Sequence, residues 1–239
     1  LVTGHKGYIG THLAKRMKAI GLDIKDGNDI VTCKLPKVDV VIHLAAKSDV
    51  VESMINPVET IRTNTLGTIR LWEKYKDTRF IFASTAGAIQ DGISSAYGIS
   101  KYCAEELIKM FFSDYIILRL PNIYGGKGSR SVIDKFINED IVIYGDGSQT
   151  RTFMHIEDLV NGIIDSINWS KGQYTFGSDK TYTVLQLAEA TGKPISFADW
   201  RSGEIKYSKI KSTVPNWKST IDVIDYIKNK KGAESISEA

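Results

Sequence analysis

The stretch Leu1-Val2-Thr3-Gly4-His5-Lys6-Gly7-Tyr8-Ile9-Gly10 opens the chain and decides its fold. An apolar segment typical of a buried strand leads into a loop with three glycines, and a helical pattern follows at once. Glycines at this spacing permit a tight turn and a close backbone approach, and the first helical turn offers N–H groups to a pyrophosphate. The sequence therefore predicts a nucleotide-binding strand–loop–helix unit. Because the strand lacks a beginning, we expect the given chain to be trimmed.

Strand and helix patterns alternate along the chain as far as Leu120. Apolar runs rich in β-branched residues predict strands covered on both faces, and apolar residues at a helical period predict helices between them. The predicted strands are Val38–Leu44, Phe80–Ala83 and Tyr115–Leu120, and the predicted helices are Ile9–Ile20, Pro57–Lys74 and Ser95–Phe112. This alternation predicts an α/β protein with a doubly wound parallel sheet.

After Pro121 the elements become shorter and mixed. The sequence predicts helices over Val132–Ile137, Ile156–Ile167 and Val184–Thr191, and a short strand over Ile141–Tyr144. We expect this part of the chain to form a second, smaller substructure.

Composition excludes several function classes. The net charge of +3 comes from 31 basic and 28 acidic residues, which is too balanced to indicate a nucleic-acid or membrane partner. The two cysteines, Cys33 and Cys103, form no spaced metal motif, so we predict no metal site and a reduced, cytoplasmic setting.

Tyr97 and Lys101 lie four residues apart in a predicted helix and therefore share one face. An ammonium ~4 Å from a phenol is worth about 4 kcal/mol at an effective dielectric constant of ~20. An interaction of that size would lower the phenol pKa by roughly 3 units. The pair is a candidate proton-transfer device, although the same spacing is common on solvated helix faces.

An acidic residue should follow the glycine loop and bind the adenosine ribose. Of the nearby carboxylates, Asp23 in Leu22-Asp23-Ile24 resembles a strand-end ribose ligand most. Lys6 and Lys25 lie where a 2′-phosphate would be met. We therefore expect NAD as cofactor and leave NADP open.

Ordered motifs along nearly the whole chain resemble the extended short-chain dehydrogenase/reductases of the NAD-dependent epimerase/dehydratase family. The motifs are the glycine loop, His43-Leu44-Ala45-Ala46, Asn64-Thr65-Leu66-Gly67-Thr68, Ser84-Thr85, Tyr97 with Lys101, Pro121-Asn122-Ile123-Tyr124-Gly125, Tyr144-Gly145-Asp146-Gly147, Arg151 and His155-Ile156-Glu157-Asp158-Leu159. The resemblance implies a Rossmann-type NAD(P)-binding domain over 1–120 plus about 152–176. It also implies a smaller mixed nucleotide-sugar domain over 121–151 plus 177–239.

The resemblance also implies residue roles. Tyr97 would be the general base, Lys101 would hold the nicotinamide ribose, and Thr85 would hydrogen-bond the reacting oxygen. The implied cofactor-binding residues are Gly4, Gly7, Tyr8, Ile9, Gly10, Asp23, Asp29, Ile30, Ala45, Ala46, Asn64, Tyr97, Lys101 and Pro121. The implied substrate-binding residues are Thr85, Asn122, Arg151 and Arg201. His43 is expected to pack at a strand end rather than to do chemistry.

The residues after Thr85 narrow the reaction. A dehydratase of this family needs an acid and a base there, whereas Ala86-Gly87 can transfer no proton. A decarboxylase would likewise need a carboxylate nearby. The segment Ser48–Thr68 is most similar to UDP-glucose 4-epimerases. We therefore expect an NAD-dependent UDP-hexose 4-epimerase that acts through a 4-keto intermediate. An NAD(P)H-dependent nucleotide-sugar reductase and a non-catalytic nucleotide-sensing protein are the alternatives.

Two further expectations follow from the resemblance. The helices Pro57–Lys74 and Ser95–Phe112 would form a homodimer interface, with Ile108, Phe111 and Phe112 on the exposed faces, although these three residues also fit a plain core. The segments 21–43 and 86–96 are shorter than is usual in the family, so they are either compact or incomplete in this chain.

Overall fold

The computed structural model describes residues 1–86, 89, 93–178, 180–200 and 206–237. The strands, in chain order, are β1 Val2–Thr3, β2 Gly21–Leu22, β3 Val40–His43, β4 Arg79–Thr85, β5 Tyr115–Leu120, β6 Asn122–Tyr124, β7 Ile141–Tyr144, β8 Thr150–Arg151, β9 Phe153–His155, β10 Gly172–Thr175, β11 Tyr182–Thr183 and β12 Ile195–Ala198. The helices are α1 Tyr8–Leu13, α2 Val50–Ile55, α3 Pro57–Ile61, α4 Gly67–Tyr75, α5 Ala96–Phe111, α6 Val132–Asn138, α7 Ile156–Ser166, α8 Val184–Thr191 and α9 Val223–Ser237.

The chain divides into two compact units. The first contains Leu1–Leu120 and Val160–Thr175, and the second contains Pro121–Leu159 and Phe176–Ala239. The family resemblance implied a return to the first unit at about 152–176, and the first unit contains residues 160–175 of that range. The functions of the two units stay proposals and are taken up below.

Within the described residues of the first unit, six parallel strands form the sheet, in the order β2-β1-β3-β4-β5-β10. The prediction of a Rossmann-type doubly wound parallel sheet is thus confirmed. Chain order reverses at β1, which has β2 on one side and β3 on the other. Ligands of such sheets bind beyond the carboxyl ends of the strands at this reversal. The glycine loop follows β1 at that position.

The helices of the first unit cover a continuous apolar core. Leu71 and Tyr75 of α4 and Ile108 of α5 pack with Phe80 and Phe82 of β4, all at most 1% exposed. Burying each such side chain contributes about 1.5–3 kcal/mol relative to leaving it exposed. The predicted helix Pro57–Lys74 is confirmed as α3 and α4, joined by a π-helical turn at Arg62–Leu66.

Helix α1 ends earlier than the sequence predicted. The pattern Ile9–Ile20 predicted a helix to residue 20, whereas α1 ends at Leu13. Beyond Leu13 the backbone forms tighter turns. The reason is tertiary: β2 begins at Gly21 and pairs in register with Val2, so the chain must turn back soon after Leu13. Asp23 directly follows β2, as the sequence predicted.

The segment after β2 is compact. Over residues 23–39, all of which the structure describes, the chain forms one 3-10 turn, Ile24–Asp26, and no strand. Strand β2 is therefore the edge of the sheet as described.

The second unit has its own core around α6, α8 and α9. Tyr124, Ile133, Ile143, Leu187 and Ile227 are buried together there. Two strand pairs are parallel, β6 with β9 and β7 with β12, and β8 with β11 is antiparallel, so the unit is mixed as predicted. Of the helices in the described ranges, none has the length and apolar character that a membrane crossing requires.

Candidate active site

The first unit brings the three predicted catalytic residues to the end of β4. The side chain of Ser95 caps α5 by accepting a 3.0 Å hydrogen bond from the Gly98 N–H, which places Tyr97 in the first turn. Tyr97 is half-buried and shares a side-chain hydrogen bond with Thr85, the last residue of β4. Lys101, one turn further on, is 3% exposed, and its Nζ lies 4.1 Å from the centre of the Phe82 ring.

Burial decides the proton affinities of this cluster. Burial raises the pKa of Tyr97 to about 12, and the hydrogen bond with Thr85 only partly opposes it. Burial lowers the pKa of Lys101 to about 7, opposed by the charge of Glu105. The expectation that Lys101 lowers the Tyr97 pKa is therefore wrong for the chain without ligands. Loss of solvent disfavours both the phenolate and the ammonium.

A network of hydrogen bonds through His43 connects the ends of β1 and β3 to Thr68 of α4. The Thr68 hydroxyl donates to the Asn64 carbonyl at 2.6 Å, so it must accept the 3.0 Å bond from His43 Nε2. His43 Nδ1 is then the acceptor for the Thr3 hydroxyl at 2.6 Å, and Thr3 in turn accepts from the Ala45 N–H at 3.2 Å. The bond that Nδ1 accepts from Thr3 requires a neutral imidazole. As predicted, His43 packs at a strand end.

The buried neutral imidazole of His43 makes the stability of the fold depend on pH. Burial first, and the charge of Lys101 second, lower the pKa of His43 from 6.5 to about 3. The unfolded chain therefore binds a proton between these two values that the folded chain does not bind. The stability contribution is complete above pH 6.5 and is lost as the pH falls toward 3. Its full size is roughly 5 kcal/mol.

We expect wild-type protein to lose roughly 2 kcal/mol of unfolding free energy through His43 between about pH 6.5 and about pH 5. Urea denaturation at both pH values measures this loss. His43→Gln is the control, because glutamine has no group that titrates in this range. Equal pH dependence of the two proteins would contradict the buried neutral imidazole.

The glycine loop is closely packed against the backbone after β3. Gly4 has φ +71°, and a Cβ atom there would lie 2.7 Å from the Ala45 nitrogen. A Cβ atom at Gly10 would lie 2.3 Å from the Gly4 carbonyl oxygen. Gly7 is the N-cap of α1, so the N-cap has no side chain to occupy the N–H groups of Tyr8 and the residues after it. These residues fit the pyrophosphate of a dinucleotide, with backbone donors at the carboxyl end of β1.

Asp23 lies beside this loop. Its carboxylate accepts hydrogen bonds from the Lys6 and Lys25 N–H groups, both at 2.9 Å. The Lys6 ammonium pairs with Asp26. The Lys25 ammonium donates to the Lys6 carbonyl at 2.9 Å. Both lysines that could meet a 2′-phosphate are thus engaged within the chain.

Asp29 and Asn64 are engaged with the chain itself. Asp29 accepts from the Val31 N–H at 2.9 Å and pairs with Arg62 at 2.6 Å, and these contacts lower its pKa. Its neighbour Ile30 is in the core. The Asn64 amide bonds the Lys47 backbone at 2.8 and 2.9 Å and also donates to the hydroxyl of Ser100. Asn64 thus links the loop after β3 to α5.

Two of the predicted substrate residues lie together in the second unit. Asn122 and Arg151 line one cavity of about 350 Å³. Arg130, which the sequence analysis missed, lines it too, and among the described lining residues none is acidic. Arg201 lies outside the described residues. The signal that could have found Arg130 is a basic residue directly before Ser131, the N-cap of α6.

Glu105 was also missed. It lies four residues after Lys101 on α5 and is fully buried. Continuation of the Tyr97–Lys101 spacing by one more turn was the available signal. Among the described residues, no cluster of three or more His, Cys, Asp or Glu side chains is placed to hold a metal ion.

The model of the NAD-dependent epimerase/dehydratase family matches residues 1–175 of this chain. A Methanocaldococcus jannaschii protein named "Putative UDP-glucose 4-epimerase" is 31% identical over 95% of each chain. That alignment is 291 residues long and thus exceeds the 239 residues here, so the relative contains segments that this chain lacks. UDP-glucuronic acid decarboxylase 4 of Arabidopsis thaliana is 28% identical, over 82% of this chain and 57% of that protein.

A solved structure has the same fold. The UDP-glucuronic acid 4-epimerase of Bacillus cereus, in complex with UDP-glucuronic acid and NAD, superposes with a TM-score of 0.83 at 23% identity, over 99% of this chain and 98% of that one. The family match covers most of the chain and includes the glycine loop, Thr85, Tyr97 and Lys101. The chain therefore belongs to the NAD-dependent epimerase/dehydratase family.

Proposed function

We propose that the protein is a UDP-hexose 4-epimerase that works with tightly held NAD. The observation that carries this proposal is the hydrogen bond between Tyr97 and Thr85 beside the buried Lys101. The residues after Thr85 are Ala86 and Gly87, neither of which can transfer a proton. One proton-transfer group suffices for reversible oxidation at a single carbon, whereas loss of water needs more. The relative at 31% identity supports the same reading.

In this proposal Tyr97 removes the proton from the sugar O4, and Thr85 holds that oxygen by a hydrogen bond. A nicotinamide cofactor held at this site would supply a reversible hydride acceptor for C4, which would allow the hydride to return to the other face of the 4-keto sugar. Tyr97 then returns its proton to O4. Lowering the phenol pKa from about 12 to near neutrality requires roughly 7 kcal/mol. Tyr97 is thus a base only in the assembled complex, and Lys101 contributes to that stabilisation when it is protonated.

NAD is favoured over NADP by the charges near Asp23. A 2′-phosphate would have to displace Asp26 from Lys6 and would lie close to both Asp23 and Asp26. Two carboxylates near an added phosphate are unfavourable. A ribose 2′-hydroxyl suits a carboxylate acceptor instead. We propose direct cofactor contacts at the glycine loop, Asp23 and Ala45, and supporting roles for Asn64 and Asp29.

The cavity of the second unit suits the nucleotide diphosphate. Arg130 and Arg151 provide guanidinium groups, which bind phosphate oxygens with two parallel donors. Asn122 adds a polar side chain at the same cavity. Arg201 and Pro121 stay predictions from the family resemblance.

The proposal is tested by incubating the purified protein with UDP-glucose and no added cofactor. We expect UDP-galactose to form and NAD to be released on denaturation. Strict dependence on added NADPH would instead indicate a nucleotide-sugar reductase. Release of carbon dioxide from UDP-glucuronic acid would indicate a decarboxylase, the activity named for the plant relative. Nucleotide binding without turnover of any of these substrates would indicate a nucleotide-sensing protein.

We further propose a homodimer formed through α3, α4 and α5. Apolar side chains on α3, on the π-helical turn that leads into α4, and on α5 are 39–80% exposed: Val58, Ile61, Leu66, Ile99, Tyr102, Met110 and Phe111. The predicted face was partly wrong, because Ile108 and Phe112 are 0% and 2% exposed and pack in the core. A second copy of this chain offers the same apolar face in return, as a two-fold interface requires.

Light scattering at micromolar concentration should report a dimer for wild type and a monomer for Val58→Glu with Met110→Glu, because the interface would bury the new charges. Phe197→Glu is the control, since Phe197 is 58% exposed in the second unit and the variant should stay dimeric. A wild-type protein that is monomeric under these conditions would refute the interface.

The two free cysteines, Cys33 and Cys103, support our proposal of a cytoplasmic setting.

A further inference from the structure

A fully buried carboxylate links the helix that carries Tyr97 and Lys101 to the strands beside it. Glu105 of α5 accepts a 2.5 Å hydrogen bond from the Ser84 hydroxyl. It also accepts from Arg119 of β5, through Nε at 3.0 Å and Nη2 at 2.6 Å. Ser84 directly precedes Thr85 on β4 and pairs in register with Arg119. One side chain therefore fixes α5 against the ends of both strands.

The same carboxylate controls charge around Lys101. Four residues separate Lys101 from Glu105, so both lie on one face of α5. The charge of Glu105 raises the pKa of Lys101 against the lowering by burial. The other titratable groups nearby are His43 on β3, which is neutral, Tyr97 on α5 and Arg119 on β5. Lys109, one turn further along α5, lies 4.0 Å from Glu105 and is partly exposed.

Burying a carboxylate is costly unless it is paired and hydrogen-bonded. Arg119 alone would neutralise Glu105, so the Ser84 bond and the Lys101 interaction are additional to that pair. The Ser84 bond and the electrostatic effect on Lys101 both connect Glu105 to the proposed catalytic cluster. Ser84 neighbours Thr85 in the chain, and Lys101 neighbours Tyr97 on the helix.

We propose that Glu105 is a positioning residue for catalysis, which fixes Tyr97 against Thr85 through Ser84 and favours the protonated form of Lys101. This inference rests on the proposed epimerase function for its kinetic consequences. Its electrostatic consequence, the protonation of Lys101, holds whichever sugar is the substrate.

Glu105→Gln tests the charge while keeping the shape of the side chain. Removing the negative charge lowers the pKa of Lys101, so the ammonium is lost at lower pH. We expect the alkaline limb of the kcat profile to move down by about one pH unit and kcat at neutral pH to fall about fivefold, with KM changed less. Glu106→Gln is the matched control. Glu106 also pairs with Lys109, at 2.8 Å, but its side chain is exposed, whereas Glu105 is buried.

A second readout separates this inference from the proposed function. Lysine side-chain NMR, with Lys101 assigned by the signal lost in Lys101→Met, follows its titration without any turnover. We expect Lys101 to titrate at lower pH in Glu105→Gln than in wild type or Glu106→Gln. An unchanged titration in a folded Glu105→Gln protein would overturn the proposal. If the Lys101 titration shifts in Glu105→Gln but the wild type has no epimerase activity, only the proposed function is refuted.

Two further variants keep the test decisive if Glu105→Gln does not fold. Glu105→Asp retains the negative charge, so Lys101 should titrate close to its wild-type pH. The shorter side chain should lower kcat. Ser84→Ala removes only the bond to the strand and should lower kcat about threefold to tenfold without shifting the pH profile, since a hydrogen bond to a charged group is lost. Wild-type kcat in both variants would overturn the positioning role.

Discussion

Tyr97→Phe should lower kcat by about 10²–10⁴-fold, the range that a positioned general base contributes. Phenylalanine keeps the ring and its packing on α5 but removes the hydroxyl that bonds Thr85. Tyr97 is half-buried, so the fold should lose no more than the roughly 1 kcal/mol of one hydrogen bond. NAD should still co-purify, because the glycine loop and Asp23 are unchanged. The measurements are kcat and the cofactor content of each protein.

Tyr102→Phe is the matched control for this experiment. Tyr102 lies on the same helix, is 39% exposed and belongs to the proposed dimer face. It should keep wild-type kcat. A Tyr97→Phe protein with wild-type turnover would remove Tyr97 as the base and, with it, the proposed chemistry.

Gly4→Ala should abolish cofactor retention. Two effects combine at this position: φ is +71°, which costs an L-residue about 1–2 kcal/mol, and a Cβ atom would lie 2.7 Å from the Ala45 nitrogen. The loop must move away from β3, and that movement removes the turn that presents the backbone to a pyrophosphate. We expect no NAD to co-purify and a lower midpoint of denaturation. Mass analysis of the released cofactor and urea denaturation measure the two effects.

Gly27→Ala separates strain from crowding. Gly27 has φ +76°, but a Cβ atom there would meet nothing within 4 Å. This variant should lose only the roughly 1–2 kcal/mol of backbone strain and should retain NAD. If Gly4→Ala behaves like Gly27→Ala, the close approach at Ala45 has no role in cofactor binding.

The sequence predicted elements well where they are long, periodic or buried on both faces. Strand β5 and helix α8 have the predicted bounds, because a continuous apolar run and a regular apolar spacing each allow one interpretation. The prediction of a helix beyond Leu13 was wrong. The end of α1 is set by the pairing of β2 with β1, a long-range contact that helical spacing does not report.

The electrostatics of the site were harder to predict. The Tyr97–Lys101 spacing correctly placed both side chains on one helix, but the direction of the Tyr97 pKa shift was wrong because burial cannot be read from spacing. Arg130 and Glu105 were missed because each acts with residues distant in sequence. Glu105 bonds Ser84, 21 residues away on another strand.

Deuterium at C4 of UDP-glucose tests the central claim most directly. If Tyr97 acts as the lone base for hydride exchange at C4, the deuterium leaves with the hydride and returns to the same carbon. The protein without added cofactor should then form UDP-galactose that retains deuterium at C4 and gains none from deuterated solvent. UDP-galactose that has exchanged its C4 hydrogen with solvent, or failure to form it at all, would contradict the account.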